Sequence, residues 1–337
     1  MRARSAVQSH HLTGRNTAVS LIRSHISLDI AFVGTPGSRL WRLRKAVLAG
    51  VLSLTALLAA CIPSAVAPPS GMASLRYRDE VFGSVTKTSD LEYGSALDLA
   101  NNAVALKLDL YEPTGDAGNK RPAVIWVHGG GYFAGDKTVG PSAALAIKFA
   151  KLGYVAVSIN YRLLAPGRCD AAGGILPACF SAAVEAVHDG QAAVRWLRAN
   201  AATYRIDPDR IGIGGESAGA ITATGVGLSA DHPGASGNPG YPSDVGAWVS
   251  ISGGVPGGIF VDSSDAPGLL FSGTADRTVP YHWSAETAAA LEGAGVPVVF
   301  KTLDGAGHVP WAPYGDLFES QSDYFFYQFL RLDRAEQ

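Results

Sequence analysis

Ser217 lies at the centre of a Gly-x-Ser-x-Gly pentapeptide that runs from Gly215 to Gly219. Ile211 and Ile213 form a short β-branched run before it, and a small-residue helical pattern follows over 218–228. A strand that turns sharply into a helix would hold this serine in a strained backbone conformation, with its hydroxyl exposed at a helix N-terminus. This context favours a nucleophilic serine, although the pentapeptide alone is equally typical of a glycine-serine loop.

An acid and a histidine follow two later apolar runs, where they could act together with this serine. Asp276 comes after the run at 269–272, and His308 comes after the run at 298–303. A carboxylate can orient a histidine, and the histidine can then remove the proton from a serine hydroxyl. The sequence therefore predicts a catalytic triad of Ser217, His308 and Asp276.

Other acids and histidines compete with Asp276 and His308 for these roles. The rivals are Asp262, Asp265, Asp304 and His282. The first two acids precede the strand at 269–272, whereas functional residues of a parallel sheet follow its strands. The rival histidine lies at the start of a predicted helix. Among the rival acids, only Asp304 follows a late strand as Asp276 does, and it stays the main alternative to Asp276.

A glycine-rich tetrapeptide, His128-Gly129-Gly130-Gly131, directly follows the apolar run at 124–127. Consecutive glycines let the backbone approach a substrate closely and direct N–H groups towards it. The alternative is an ordinary glycine-rich turn. We interpret His128 as a structural residue that braces the loop rather than as a base.

The predicted elements alternate between strands and helices, which indicates a mostly parallel central sheet with helices on both faces. Predicted strands cover 105–111, 124–127, 154–159, 211–213, 245–251, 269–272 and 298–303, and predicted helices cover 143–152, 181–201, 218–228, 284–294 and 320–332. The first strand is expected at an antiparallel edge, and residues 163–180 are expected to form a loop. Sites in such sheets lie at the carboxyl ends of strands, where the motifs above occur.

These motifs carry a resemblance to a known family. The segment from about Leu106 to Leu332 resembles the HGGG-type carboxylesterases, the hormone-sensitive-lipase-like group, and the order serine, aspartate, histidine is that of α/β hydrolases. The resemblance implies an α/β-hydrolase fold; the interval 252–268, described below, predicts that this fold carries no large lid domain. Glu216 departs from this group and resembles the type-B carboxylesterases, whereas the surroundings of Asp276 resemble prolyl-oligopeptidase-like and feruloyl-esterase-like hydrolases.

The resemblance implies a serine carboxylesterase that hydrolyses short-to-medium or aromatic acyl esters through an acyl-enzyme, with no metal or cofactor. In esterases with the HGGG loop, the second and third glycines and the residue after the nucleophile typically bind the oxyanion. Here these residues are Gly130, Gly131 and Ala218. The expected partner is a small-molecule ester. Two alternatives stay open: a serine peptidase of prolyl-oligopeptidase-like type, and a non-catalytic hydrolase-fold binding protein.

The N-terminal region has the pattern of a targeting segment. Arg42, Arg44 and Lys45 precede fifteen uncharged residues that end in Leu-Ala-Ala before Cys61. Fifteen residues are too few to span a bilayer comfortably, since roughly 20 apolar residues are needed. The pattern therefore predicts a signal peptide over 41–60 rather than a membrane span. Cys61 resembles the lipidated cysteine of bacterial lipoproteins. We expect an exported lipoprotein, anchored to a membrane in the periplasm or at the cell surface; secretion or an uncleaved anchor is the alternative.

The chain is predicted to contain four segments. They are an N-terminal extension (1–40), the signal peptide (41–60), a lipidated cysteine with a Pro/Gly-rich tether (61–74) and a catalytic domain (75–337). One hypothesis places the true translation start near Val33 or Leu40. The first sixty residues hold eight Lys or Arg and one acid, whereas the rest holds nineteen basic and twenty-eight acidic residues. An acidic domain argues against nucleic-acid binding.

Two further features concern the surroundings of the site. Cys169 and Cys179 form an even pair, which predicts a disulfide bond if the chain is exported; two separate thiols are the alternative. The interval 252–268 contains many glycines and prolines, so a stable helix is not expected there. We therefore predict an open site without a helical lid in this interval.

Overall fold

The computed structural model describes residues 74–164, 177–229 and 232–334. Within these ranges the backbone forms one eight-stranded sheet with helices on both faces. The strands are β1 (Val85–Leu97), β2 (Ala103–Pro113), β3 (Arg121–Val127), β4 (Val155–Ile159), β5 (Ile206–Glu216), β6 (Ala247–Ile251), β7 (Gly268–Gly273) and β8 (Val298–Leu303).

The strand order is β1-β2-β4-β3-β5-β6-β7-β8. The first two strands pair antiparallel, β2 also pairs antiparallel with β4, and all later pairs are parallel. The predicted mostly parallel sheet is therefore observed. The predicted edge position of the 105–111 strand is wrong, because β1 covers β2. The sequence of β1 hides its strand character, since most of its side chains are exposed and polar.

The helices are α1 (Gly140–Leu152), α2 (Pro177–Ala199), α3 (Ala201–Tyr204), α4 (Ala218–Gly227), α5 (Tyr281–Ala294) and α6 (Trp311–Phe329). The predicted helix starts at 181 and 320 are too late. Helix α2 begins at Pro177, so Cys179 lies in a helix rather than in a loop. Helix α6 begins nine residues before the predicted start, because Pro313 falls in its first turn, where a helix needs no N–H donor.

The core consists of two apolar layers, one on each face of the sheet. Side chains from α2, α4 and α5 pack on one face, against β3 residues such as Ile125. Side chains from α1 and α6 pack on the other face, against Trp126 of the same strand. The Trp126 ring meets the rings of Phe149 and Phe326 at centroid distances of 5.4 and 6.2 Å. Both layers exclude water from the central strands that lead to the site.

The connection between β6 and β7 contains one short 3₁₀ turn, Pro256–Gly258, and no α-helix. The interval 252–268 thus supplies no helical lid, as the sequence predicts. Ile259 and Phe260 in this connection are exposed. Over the described ranges, none of the helices combines the length and apolar character needed to cross a bilayer.

Replacement of Phe326 by alanine tests the packing of the second layer. Phe326 is fully buried between two aromatic rings, so Phe326→Ala should lower the free energy of unfolding by about 3–5 kcal/mol, measured by chemical denaturation. Phe260→Ala is the matched control, since that side chain is 64% exposed and its loss should change stability by at most about 0.5 kcal/mol. Equal effects of the two substitutions would contradict the described packing.

Candidate active site

Ser217 lies in a strained turn between β5 and α4. Its φ and ψ are 55° and −121°, a conformation that side-chain-bearing residues rarely adopt. Two glycines make the turn possible. A Cβ atom on Gly215 would lie 2.5 Å from the Gly219 carbonyl oxygen, and one on Gly219 would lie 2.0 Å from the Val127 carbonyl oxygen. The Gly-x-Ser-x-Gly spacing is therefore a steric requirement of this turn.

The structure brings Ser217, His308 and Asp276 into one hydrogen-bonded chain. His308 Nε2 lies 2.8 Å from Ser217 Oγ, and His308 Nδ1 lies 2.8 Å from Asp276 Oδ2. The other Asp276 oxygen, Oδ1, accepts the backbone N–H groups of Thr278 and Val279 at 2.8 and 3.0 Å. These two bonds fix the carboxylate, so one of its oxygens is directed at the histidine.

The loop that carries His308 is held against the ends of β6 and β7. Ser252 Oγ accepts the N–H of Val309 at 3.0 Å, and the Ala275 N–H donates to the Ala306 carbonyl at 2.9 Å. Gly273, the last residue of β7, allows this approach, because a Cβ there would lie 2.2 Å from the Ala306 oxygen. The position of the imidazole is thus set by backbone contacts on both sides.

The rival residues do not join this arrangement. Asp304 is exposed, and His282 is exposed beside Trp283. Asp262 and Asp265 accept hydrogen bonds within a turn that precedes β7. Their geometry agrees with the preference of the sequence analysis for Asp276 and His308.

The loop that follows β3 lies beside Ser217. Gly130 and Gly131 have φ values of 117° and 62°, and the Gly130 carbonyl accepts the N–H groups of Phe133 and Ala134. Among the described residues, no acceptor is bonded to the N–H of Gly130 or Gly131. Ala218 is the first residue of α4, where N–H groups have no partner within the helix. Within the described ranges, these three N–H groups therefore have no hydrogen-bond acceptor.

His128 braces this loop from inside, in agreement with its interpretation as a structural residue. Its Nδ1 lies 2.7 Å from the Gly129 carbonyl oxygen, and its ring stacks on Tyr161 at 4.5 Å. Burial lowers the pKa of His128, which favours the neutral imidazole. The Tyr132 hydroxyl donates to the Ala218 carbonyl at 3.0 Å and joins the loop to the turn.

A partly buried ion cluster also anchors the loop, and sequence reasoning missed it. Lys137 Nζ lies 2.8 Å from Asp109 Oδ1 on β2 and 3.0 Å from Asp90 Oδ1 on β1. Burial alone would raise the pKa of Asp109, but hydrogen bonds from Lys137 and Lys87 outweigh burial and lower it. These charges lie far apart in the sequence, and no motif connects them.

The remaining predicted site residues lie partly outside the described ranges. Cys61 and Cys169 are not among the described residues, and Cys179 is buried near the start of α2. The predicted lipid anchor and the predicted Cys169–Cys179 bond therefore stay predictions. In the part of the chain that the structure describes, no cluster of three or more His, Cys, Asp or Glu side chains could hold a metal ion.

Known proteins resemble the central part of this chain. The BD-FAE family profile matches residues 108–239. Carboxylesterase 3B of Mus musculus is 34% identical over 125 residues, which are 37% of this chain and 20% of that protein. Phenmedipham hydrolase of Pseudarthrobacter oxydans is 37% identical over 131 residues, which are 38% of this chain and 23% of that protein. The chain spans less than a quarter of the length of these two relatives.

Solved structures resemble a larger part of the chain. A truncated carbohydrate esterase from gut microbiota aligns with a TM-score of 0.54 and 24% identity, covering 76% of this chain and 99% of that chain. Esterase Est2 of Thermogutta terrifontis aligns with a TM-score of 0.56 and 23% identity, covering 74% and 91%. Together with the observed sheet, this likeness confirms that the chain has the α/β-hydrolase fold.

The described loop geometry predicts a steep effect of a side chain at Gly130. A Cβ there would lie 2.1 Å from the Ala134 carbonyl oxygen, so Gly130→Ala should displace the N–H groups of the loop. We expect Ser217 to react with a fluorophosphonate probe at least about 10²-fold more slowly, the lower range for loss of one oxyanion donor.

Gly115→Ala is the matched control for this experiment. Gly115 also has a positive φ, 78°, but a Cβ there would meet no atom within 4 Å. It should cost about 1–2 kcal/mol of stability through backbone strain and leave the labelling rate of Ser217 unaffected. Equal labelling rates for the two variants would contradict the predicted role of the loop.

Proposed function

We propose that this chain is a serine carboxylesterase that hydrolyses small carboxylic esters through an acyl-enzyme. The observation that carries the proposal is the hydrogen-bonded chain Ser217–His308–Asp276 beside a loop with free N–H groups. The similarity of the central segment to carboxylesterases and to an esterase structure supports the same reaction class.

In the proposed first step, His308 Nε2 takes the hydroxyl proton as Ser217 Oγ attacks the ester carbonyl carbon. Asp276 accepts the Nδ1–H and thus keeps the imidazole in the tautomer that leaves Nε2 free. The tetrahedral intermediate collapses, and His308 gives its proton to the departing alcohol. In the second step, His308 removes a proton from water, which attacks the acyl carbonyl carbon. The second tetrahedral intermediate then collapses, His308 returns the proton to Ser217 Oγ, and the carboxylic acid is released.

The negative oxygen of both tetrahedral intermediates needs donors that are in place before the reaction. We propose that the N–H groups of Gly130, Gly131 and Ala218 supply them. Each such donor typically contributes roughly 10²–10³ to the rate. The positive φ of the two glycines supports this role, because glycine adopts it readily and lets the backbone approach a substrate closely.

The surroundings favour esters with short-to-medium or flat aromatic acyl groups. The Phe133 ring lies over the oxyanion loop, with Cε1 2.7 Å from the position of a Cβ on Gly131. This ring is partly exposed and offers an apolar face next to the reacting carbonyl. The connection between β6 and β7 leaves the site without a helical cover from that side.

Two aspartate variants test the triad. Asp276→Asn should lower kcat by roughly 10⁴, since the amide stabilises the wrong histidine tautomer. Asp304→Asn is the matched control. Asp304 directly follows β8 and is exposed, so this variant should retain the kcat of the unmodified chain. Ser217→Ala should cost on the order of 10⁶. Steady-state hydrolysis of a soluble ester gives all three values, and a larger loss in the Asp304 variant would refute the assignment.

The open site predicts no interfacial activation. Hydrolysis of a butyrate ester should follow a smooth saturation curve across the solubility limit of the substrate, because no helix in 252–268 has to move. A rate that rises sharply once droplets form would show a mobile cover and contradict this part of the proposal. A soluble acetate ester, assayed over the same concentrations, controls for simple saturation.

We further propose that the protein is exported and anchored through a lipidated Cys61, with a Cys169–Cys179 disulfide bond formed after export. The support is the sequence pattern around Cys61 and the even cysteine pair. Cys61→Ala should release the active protein from the membrane fraction, because stable anchoring needs more than one acyl chain. Retention of the variant in membranes would favour an uncleaved anchor. Cys179→Ala, which leaves Cys61 intact, should remain membrane-bound.

A further inference from the structure

Glu216, the residue before the nucleophile, is a buried carboxyl that the proposed reaction does not use. Only 6% of its surface is exposed. Its Oε1 accepts the N–H of Gly129 at 3.1 Å, and its Oε2 is in hydrogen-bond contact with Ser142 Oγ on α1. The carboxyl thus connects the serine turn, the oxyanion loop and the first turn of a helix.

The Ser142 hydroxyl has two oxygen neighbours but only one proton. Besides Glu216 Oε2, Ser142 Oγ lies 2.9 Å from the Val127 carbonyl oxygen, which can only accept. An ionised Glu216 could also only accept, so one of the two contacts would then place lone pairs against each other. A protonated Glu216 removes the conflict, because its O–H donates to Ser142 Oγ and the Ser142 O–H donates to Val127.

The surroundings of the carboxyl agree with a neutral acid. Its hydrogen-bond partners, Ser142 and the Gly129 amide, are uncharged, and no described Lys or Arg pairs with it. The titratable groups near the loop include Tyr161, His128, Tyr132 and Asp136. A charge on Glu216 would raise the pKa of Tyr161, and burial lowers the pKa of His128. Burial likewise raises the pKa of Glu216, to about 7.

We propose that Glu216 is a positioning residue that works as a neutral carboxylic acid and holds the oxyanion loop against the serine turn. It donates to Ser142 and accepts from Gly129, the glycine directly before the two proposed oxyanion donors. This role rests on the proposed esterase function. The carboxyl does not touch the substrate and transfers no proton during the reaction.

Glutamine and alanine variants test whether Glu216 acts through its hydrogen bonds as a neutral group or through a negative charge. Glu216→Gln keeps both hydrogen bonds, because its NH₂ donates to Ser142 and its carbonyl accepts from Gly129. It should lower kcat less than about tenfold, whereas Glu216→Ala should lower kcat by roughly 10²–10³ with little change in KM, like loss of an oxyanion donor. A 10²-fold loss in the glutamine variant would overturn the proposal, because it would show that the charge is needed.

Asp323→Asn is the matched control. Asp323 is also a buried acid whose pKa burial raises to about 7, but its partner is Lys148 at 3.1 Å, and it contacts no residue of the site. This variant should keep both kcat and KM. A loss equal to that of Glu216→Ala would mean that any buried acid of this fold acts on the rate through stability, and it would overturn the positioning role.

Two readouts remain valid even if the chain hydrolyses no ester. The infrared band of a protonated carboxyl group, recorded below pH 7, should be weaker in Glu216→Gln than in the unmodified chain.

The folded pKa of Glu216 lies above its ordinary value of 4.5, so the folded state loses relative stability as pH rises from 4.5 to about 7. The Tm of Glu216→Gln should therefore rise relative to the unmodified chain over this window. An unchanged band and a constant difference in Tm would overturn the proposal independently of the esterase assignment.

Discussion

The site depends on one close contact between two strand ends. The backbone after β5 turns so tightly that Gly215 and Gly219 both lie against the carbonyl oxygen of Val127, the last residue of β3. Any larger residue at either position would force the two strand ends apart. This contact places the hydroxyl of Ser217 and the glycine loop that follows β3 next to each other. Two motifs almost ninety positions apart in sequence thereby become one site.

Several polar groups buried around this contact form hydrogen bonds that join the neighbouring loops. The Tyr161 hydroxyl donates to the His128 carbonyl at 3.0 Å, and Ser142 donates to Val127. The ammonium group of Lys137 lies in the same region and forms ion pairs with Asp90 of β1 and Asp109 of β2. The oxyanion loop is thus fixed from the helix side and from the antiparallel end of the sheet. Preorganised donors of this kind account for much of the catalysis in acyl transfer.

The sequence allowed the central strands and the candidate site residues to be located, because each motif directly follows an apolar run and the carboxyl ends of parallel strands lie at one edge of the sheet. The local sequence pattern did not predict strand β1 or the start of α6, because the residues there lack a clear hydrophobic periodicity. Strand β1 is exposed and polar, and the start of α6 contains Pro313 and Gly315. The contacts of Glu216 and Lys137 depend on residues distant in sequence, so only the structure reveals them.

The most direct test of the account is to trap the acyl-enzyme. The protein is mixed with an activated ester, quenched in acid within the first turnover and digested, and the peptides are analysed by mass spectrometry. We expect one acyl group on the peptide that contains Ser217, and none in a Ser217→Ala sample treated in the same way. Acylation of a different residue, or ester turnover that persists in the Ser217→Ala protein, would contradict the central claim.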